Sequence, residues 1–137
     1  MKNTLLLLFL SLFLFSCFDK EDAPAVLPSG TYTGTFQRSS PIADYPRANV
    51  TLVFDGNSFS GSSDHLKYPA IGQGTYQVNG QEVTFKNASF MTAEFDWTLI
   101  LDGAFALSTN QEGGITLTRK TGEVTDVYHL VRQSETN

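Results

Sequence analysis

The side chains that could do acid–base, nucleophilic or metal chemistry are few: two histidines, His65 and His129, and one cysteine, Cys17. Asp64-His65 sits in the polar stretch from Gly61 to Pro69. An acid next to a histidine in sequence does not bring their side chains together, so this reads as a solvated loop pair. His129 lies between Tyr128 and Leu130 and should face outward. Neither histidine has a second ligand at metal spacing, and Asp55-Gly56-Asn57 lacks the acids a calcium loop requires. No nucleophile elbow or phosphate-binding glycine loop is present, and turns account for the scattered glycines. A site for catalysis needs a nucleophile or base held by partners. None is evident, so the expectation is a protein that is not an enzyme and uses no metal and no cofactor. Asn49-Val50-Thr51 and Asn87-Ala88-Ser89 match the N-glycosylation pattern, which matters only in a host that glycosylates it.

Cys17 belongs to a different pattern. Lys2 is followed by an apolar run from Leu5 to Phe15 and then Ser16-Cys17, the layout of an export signal. The run spans roughly 16 Å as a helix, against about 30 Å of hydrocarbon core, so a permanent span is not expected. Leu14-Phe15-Ser16-Cys17 resembles the lipobox of bacterial lipoproteins. That resemblance implies removal of residues 1–16, lipidation of Cys17 and attachment to a lipid bilayer through its acyl chains. Two or more chains give lasting anchorage at about 0.8 kcal/mol per buried CH2. Asp19-Lys20-Glu21-Asp22 follows, and its Lys-Glu-Asp part is similar to the acidic export signal of surface lipoproteins in Bacteroidetes-type bacteria. The implied location is the outer membrane, on the cell surface, with the periplasmic face as the alternative. Residues 17–28, with Pro24 and Pro28, read as a flexible tether.

Without residues 1–16 the chain carries 8 basic and 14 acidic side chains, a net charge of −6. That balance disfavours nucleic acid as a partner, because phosphate recognition needs clustered cations. A single cysteine excludes an internal disulfide framework.

From Ser29 onward the apolar period is two. Gly30 to Phe36, Val50 to Phe54, Thr75 to Val78 and Val83 to Lys86 alternate, as do Phe95 to Leu99, Phe105 to Leu107, Ile115 to Thr118 and Tyr128 to Leu130. Thr-rich, aromatic strands with one apolar face indicate antiparallel sheet. The fold class is all-β: a meander of about eight strands over residues 29–132, ending in a polar tail at 133–137. Closure into an up-and-down barrel would remove the exposed edges, and a two-sheet sandwich is the competing arrangement.

Asp55-Gly56, Asn79-Gly80 and Asp102-Gly103 are short-hairpin signals. Taken as the turn residues, the first two place Leu52 opposite Phe59, Tyr76 opposite Val83 and Gly74 opposite Phe85. A three-residue loop at Leu101-Asp102-Gly103 places Leu99 opposite Phe105 and Trp97 opposite Leu107. Gln111 to Gly114 makes a longer hairpin. The segment Ser58 to Ser62 and the region near Phe90 are further candidate strands.

Ser29-Gly30-Thr31-Tyr32, the repeated Asp-Gly hairpins and an arginine near the last strands resemble the lipocalin-like small barrels of bacterial lipoproteins. The resemblance covers Ser29 to Arg132 and implies a binding barrel. It also implies that Arg119 or Arg132 stacks on the aromatic closing the barrel base. A barrel of this size can hold one small molecule, so the expected ligand is small and apolar, contacted by Tyr32, Phe36, Tyr76, Trp97 and Tyr128. Nine aromatic side chains claim the inner face, however, and core packing competes for each of them. The alternative is a protein-interaction module, such as an enzyme inhibitor or envelope-complex subunit. It would use two long loops, Gln37 to Ala48 with Arg38, Tyr45 and Arg47, and Ser62 to Gly72 with His65 and Tyr68.

Overall fold

The computed structural model describes residues 27–134. The expected signal segment 1–16, Cys17 and the expected tether up to residue 26 lie outside the described residues. Eight antiparallel strands form a meander that closes on itself: β1 (Gly30–Ser39), β2 (Ala48–Asp55), β3 (Ser58–Ser63), β4 (Gly72–Asn79), β5 (Glu82–Asn87), β6 (Gly103–Thr109), β7 (Gly114–Thr121) and β8 (Val124–Arg132). This architecture is compatible with a lipocalin-like fold. Closure comes from β1 pairing with β8, from Tyr32 opposite Arg132 to Ser39 opposite Thr125.

The strands follow the alternation in the sequence. Along β2 buried Ala48, Val50, Leu52 and Phe54 alternate with more exposed residues, and β5 and β6 do the same. Inward residues from all eight strands make one core. Its rings form a continuous column along the barrel. Tyr32 meets Phe54 with centroids 5.5 Å apart, and Phe54 meets Tyr76 at 5.0 Å and Phe85 at 6.3 Å. The column runs on from Phe85 to Phe105 at 5.8 Å, to Tyr128 at 5.9 Å and to Phe36 at 4.7 Å. Most of these pairs are edge-to-face, the geometry the ring quadrupoles favour, and each contributes about 0.5–1.5 kcal/mol beyond its buried area.

Two hairpin registers differ from expectation by a constant amount. Phe54 pairs with Phe59 and Asp55 with Ser58, while Tyr76 pairs with Phe85 and Val78 with Val83. The turn residues are therefore Gly56-Asn57 and Gly80-Gln81, and Asp55 and Asn79 close the ladders. Gly56 (φ 58°) and Gly80 (φ 59°) take the left-handed conformation at the first turn position, where glycine is the residue that does so freely. Each partner has shifted by two residues. A shift of two preserves the buried face, so in both hairpins the expected residues still point inward.

The third correction concerns a whole element. Phe95 to Leu99 is not a strand. Trp97–Leu99 forms a 3-10 turn capped by Asp96, and β6 pairs with β5 instead, with Val83 opposite Phe105. Ser58–Ser63 supplies the strand that completes the barrel, and the region near Phe90 lies in a connection. At the N-terminal boundary, Leu27 and Pro28, expected to belong to the tether, are held by the barrel, and Leu27 is buried against the core. The Tyr32 hydroxyl donates to the Pro28 carbonyl at 2.9 Å, and Arg132 Nη2 donates to the Ser29 carbonyl at 2.6 Å.

Candidate functional site

The two ends of the barrel are unlike. Residues 56–57, 80–81 and 110–113 are short turns at the end where the chain enters, which we call the base. Residues 40–47, 64–71 and 88–102 are long connections, and all three lie at the opposite end together with the Gly122-Glu123 turn. The sequence left open whether the first two long loops share an end. The presence of β3 decides it, because one more strand reverses the direction of everything that follows.

Arg38 was expected in the first long loop but is an inward residue of β1, 6% exposed. Its guanidinium grips Asp126 of β8, with Nε donating to Oδ1 at 2.6 Å and Nη2 to Oδ2 at 2.8 Å. Asp126 is 2% exposed and accepts a further bond from Arg119 Nη2 of β7 at 2.9 Å. Both arginines reach across the mouth to the long connection: Arg38 Nη2 and Arg119 Nη2 each donate to the Thr98 carbonyl at 2.8 Å. Arg38 Nη1 holds the Thr98 hydroxyl and Arg119 Nη1 the Asp102 carbonyl, both at 2.8 Å. Hydrogen bonding to Asp126 raises the Arg38 pKa, so the charge persists despite burial. Arg119 also lies 4.5 Å from the centroid of the Phe105 ring. An arginine does stack on an aromatic, but near the loop-bearing end; Arg132 instead ties the chain ends together at the base.

A cleft of about 250 Å³ opens beside this cluster, lined by Arg38, Thr98, Arg119, Thr121, Val124 and Asp126. Two grooves of about 540 Å³ lie elsewhere, lined largely by outward residues of β1–β3 and of β2–β4.

Tyr68 stands at the centre of the loop end. Its ring meets Phe36 at 5.3 Å, stacks on Tyr45 at 5.9 Å with planes 9° apart, and touches His65 edge-on at 6.1 Å. Burial pushes the Tyr68 phenol pKa up. Tyr45, Tyr68 and His65 are thus brought together, with Arg38 Cζ 5.6 Å from the Tyr45 ring centroid. Arg47 is exposed at the rim. Asp64 Oδ1 does come within 3.8 Å of His65 Nε2, although its shorter bonds are those it accepts from the Asn49 side chain at 2.7 Å and backbone at 2.8 Å. The Asn49 side-chain bond holds the Asp64 pKa below the usual aspartate value. His129 is exposed on the outer wall, 3.2 Å from the Thr116 hydroxyl.

Of the five residues expected to contact a ligand, Tyr32, Phe36, Tyr76 and Tyr128 are between 0% and 6% exposed and packed against other rings. Trp97 is corrected: it is 66% exposed on the long connection. No protein-family model matches the chain, and no curated protein or solved structure matches it.

Sequence reasoning missed Asp126, Thr98 and the apolar tips of the loops. Ile42 (91% exposed), Leu66 (89%) and Phe90 (91%) sit one on each long connection. Together with Trp97 they make up four of the five large apolar side chains most exposed among the described residues; the fifth, Val131, is on β8. The connections are tied to one another by the Lys67–Glu94 ion pair and by Lys67 Nζ 5.4 Å from the Phe95 ring centroid.

Proposed function

We propose that this chain is a lipid-anchored, noncatalytic outer-membrane lipoprotein that engages a folded protein partner with the loop-bearing end of its barrel. The observation that carries this reading is the placement of Ile42, Leu66 and Phe90, one on each long connection at one end. Scattered exposed leucines are ordinary, whereas large apolar residues gathered with charged neighbours follow the pattern of a contact surface. Asp44, Arg47, Lys67 and Glu94 supply a rim of both signs on the same connections. The site of attachment favours the same end. The described chain enters the barrel at its base, opposite the loops, so an anchor at Cys17 leaves the loop end the farther from the point of attachment.

Cys17→Ala tests the anchor: lipid labelling and membrane association should both be lost, and retention of either overturns it. Photo-crosslinkers at positions 42, 66 and 90 on intact cells test the partner, with position 84 on the outer wall as the control. Adducts should form from the loop positions alone and disappear in Phe90→Asp. Equal labelling at position 84 contradicts the reading.

A second reading, a small apolar ligand, is supported by the 250 Å³ cleft beside Arg119 and Val124. The column of rings already occupies the inner positions first assigned to such a ligand. The cleft at the mouth is therefore the place for it.

A further inference from the structure

Trp97 is the only tryptophan in the chain, and the fold spends structure on holding it in water. Asp96 accepts from the Thr98 amide at 2.9 Å and the Thr98 hydroxyl at 2.7 Å, which fixes the 3-10 turn on which the indole stands. The next residue is pinned from below, since the Thr98 carbonyl takes one bond from Arg38 and one from Arg119. An indole on so firm a mount, with no ring partner or hydrogen bond among the described residues, is presented rather than merely left over.

Beside it lies a cavity of about 170 Å³ lined by Asn87, Ser89, Met91, Trp97, Ile100 and Asp102. That is room for about six waters, or one six-membered ring with substituents. Its polar wall is oriented in advance. The Asn87 side chain donates to the Ile71 carbonyl at 2.6 Å and accepts from the Ser89 amide at 2.8 Å. Ser89 Oγ accepts from the Gln73 amide at 2.8 Å, which leaves its own hydrogen to donate outward. Asp102 Oδ1 accepts from the Asn87 amide at 2.8 Å, and Oδ2 has no partner among the described residues. Gly72 makes this wall possible: a Cβ there would come within 2.2 Å of Ser89 Oγ.

We propose that this cavity binds one neutral sugar ring, with the Trp97 indole against its C–H face and Ser89 and Asp102 on adjacent hydroxyls. The three exposed groups are a flat apolar surface, one donor and one charged acceptor. A pyranose offers the complement, an apolar face edged by hydroxyls that both donate and accept. Asp102 repels anionic ligands, and a purely apolar ligand would leave Ser89 and Asp102 desolvated without partners. This site is independent of the protein-docking reading, which rests on other residues.

Trp97 reports on its own site. Neutral methyl glycosides of glucose, galactose, mannose and N-acetylglucosamine, titrated to about 100 mM, should include at least one that changes the tryptophan fluorescence saturably, with a midpoint in the roughly millimolar range. Saturation-transfer NMR should show that glycoside's ring protons in contact with the protein. In Trp97→Ala the NMR contact should vanish while the melting temperature holds, because the side chain is exposed. Asp102→Asn retains the acceptor for the Asn87 amide and should weaken binding about tenfold, as loss of a charge-assisted hydrogen bond does. No saturable response to any of the four glycosides overturns the proposal. So does undiminished binding in Trp97→Ala, or a matching affinity for cyclohexylmethanol, which has the ring and lacks the vicinal hydroxyls.

Discussion

Asp126 is the residue on which the loop-bearing end depends. It is nearly inaccessible and sits between two guanidinium groups. In Asp126→Asn both arginines would keep their charge at close range with no anion between them. Removing one partner of a buried ion pair costs about 3–5 kcal/mol, and the melting temperature should fall by roughly 4–8 °C for each of those kcal/mol in a domain of this size. Calorimetry checks this, and a loss within error of zero would mean that water already reaches the cluster. Arg38 and Asp126 are 88 positions apart in the chain, yet their burial was legible. Arg38 lies two residues after Phe36 and Asp126 two before Tyr128, both in phase with the inward face, and Arg119 follows Leu117 in the same way. Arg38 lies where the alternation of β1 gives way to the first long connection, so it reads as a loop residue.

Asp96 makes the connection that carries Trp97 sensitive to strong acid. The Thr98 hydroxyl hydrogen bond holds its pKa below the ordinary aspartate value of 3.8. A carboxylate with a depressed folded pKa stabilises the native state above its unfolded pKa, and that contribution is lost as pH falls through the folded value. The Thr98 amide resonance should therefore titrate with a midpoint below 3.8, while the strand amides stay in place. The tyrosines behave oppositely at high pH. Burial raises the pKa of Tyr32, Tyr76 and Tyr128, so their stabilising contribution is complete below the ordinary phenol value of 10.0 and is lost as pH climbs through the raised values. Phenolate absorbance should show Tyr128 ionising last, together with unfolding.

Among the elements, the connection 88–102 was the hardest to read. Phe95, Trp97 and Leu99 alternate like a strand, yet the pattern does not set their burial: Leu99 is buried, while Trp97, which would share its face in a strand, is exposed. What periodicity could not register was Asp96 two residues before Thr98, a side chain that captures the local backbone and favours a turn over a ladder. The short turns at Gly56 and Gly80 were legible from a glycine after Asp or Asn, although the pattern did not say which residue begins the turn, and the same pair at Asp102-Gly103 opens β6 after a long connection instead. Gly34 had no such marker. It lies mid-strand at the β1–β8 seam, where a Cβ would approach the His129 carbonyl to 1.8 Å; the general assignment of glycines to turns fails here. Gly34→Ala must separate the strands that close the barrel. Faster amide exchange in β1 and β8 than in β4 and β5 is the expected result, and uniform protection would contradict it.

At the level of the whole molecule, all-β class and closure followed from alternation and length, because short strands with one apolar face each have few other ways to cover their edges; the number eight agrees because Ser58–Ser63 takes the place of Phe95 to Leu99. The inner face could be listed from sequence, but its fullness could not, since volume depends on how rings interlock. Phe85→Ala opens the middle of the ring column and should cost about 3–5 kcal/mol. It also creates an apolar void, so xenon or benzene uptake should appear in the variant and not in the parent. Uptake by the parent would reveal a cavity within the column.

The seam between β1 and β8 has a mechanical consequence. The first strand enters and the last leaves at the base, side by side, with Arg132 bonded to Ser29. Pulling the two chain ends apart would open the seam like a zipper, breaking one hydrogen bond at a time. Pulling the entering strand against a grip on the loops instead loads its ladders to β2 and β8 lengthwise, so that many bonds share the force at once. A barrel held at its base and gripped at its loops would thus bear tension in its stronger direction, and single-molecule extension along the two axes should give clearly different rupture forces.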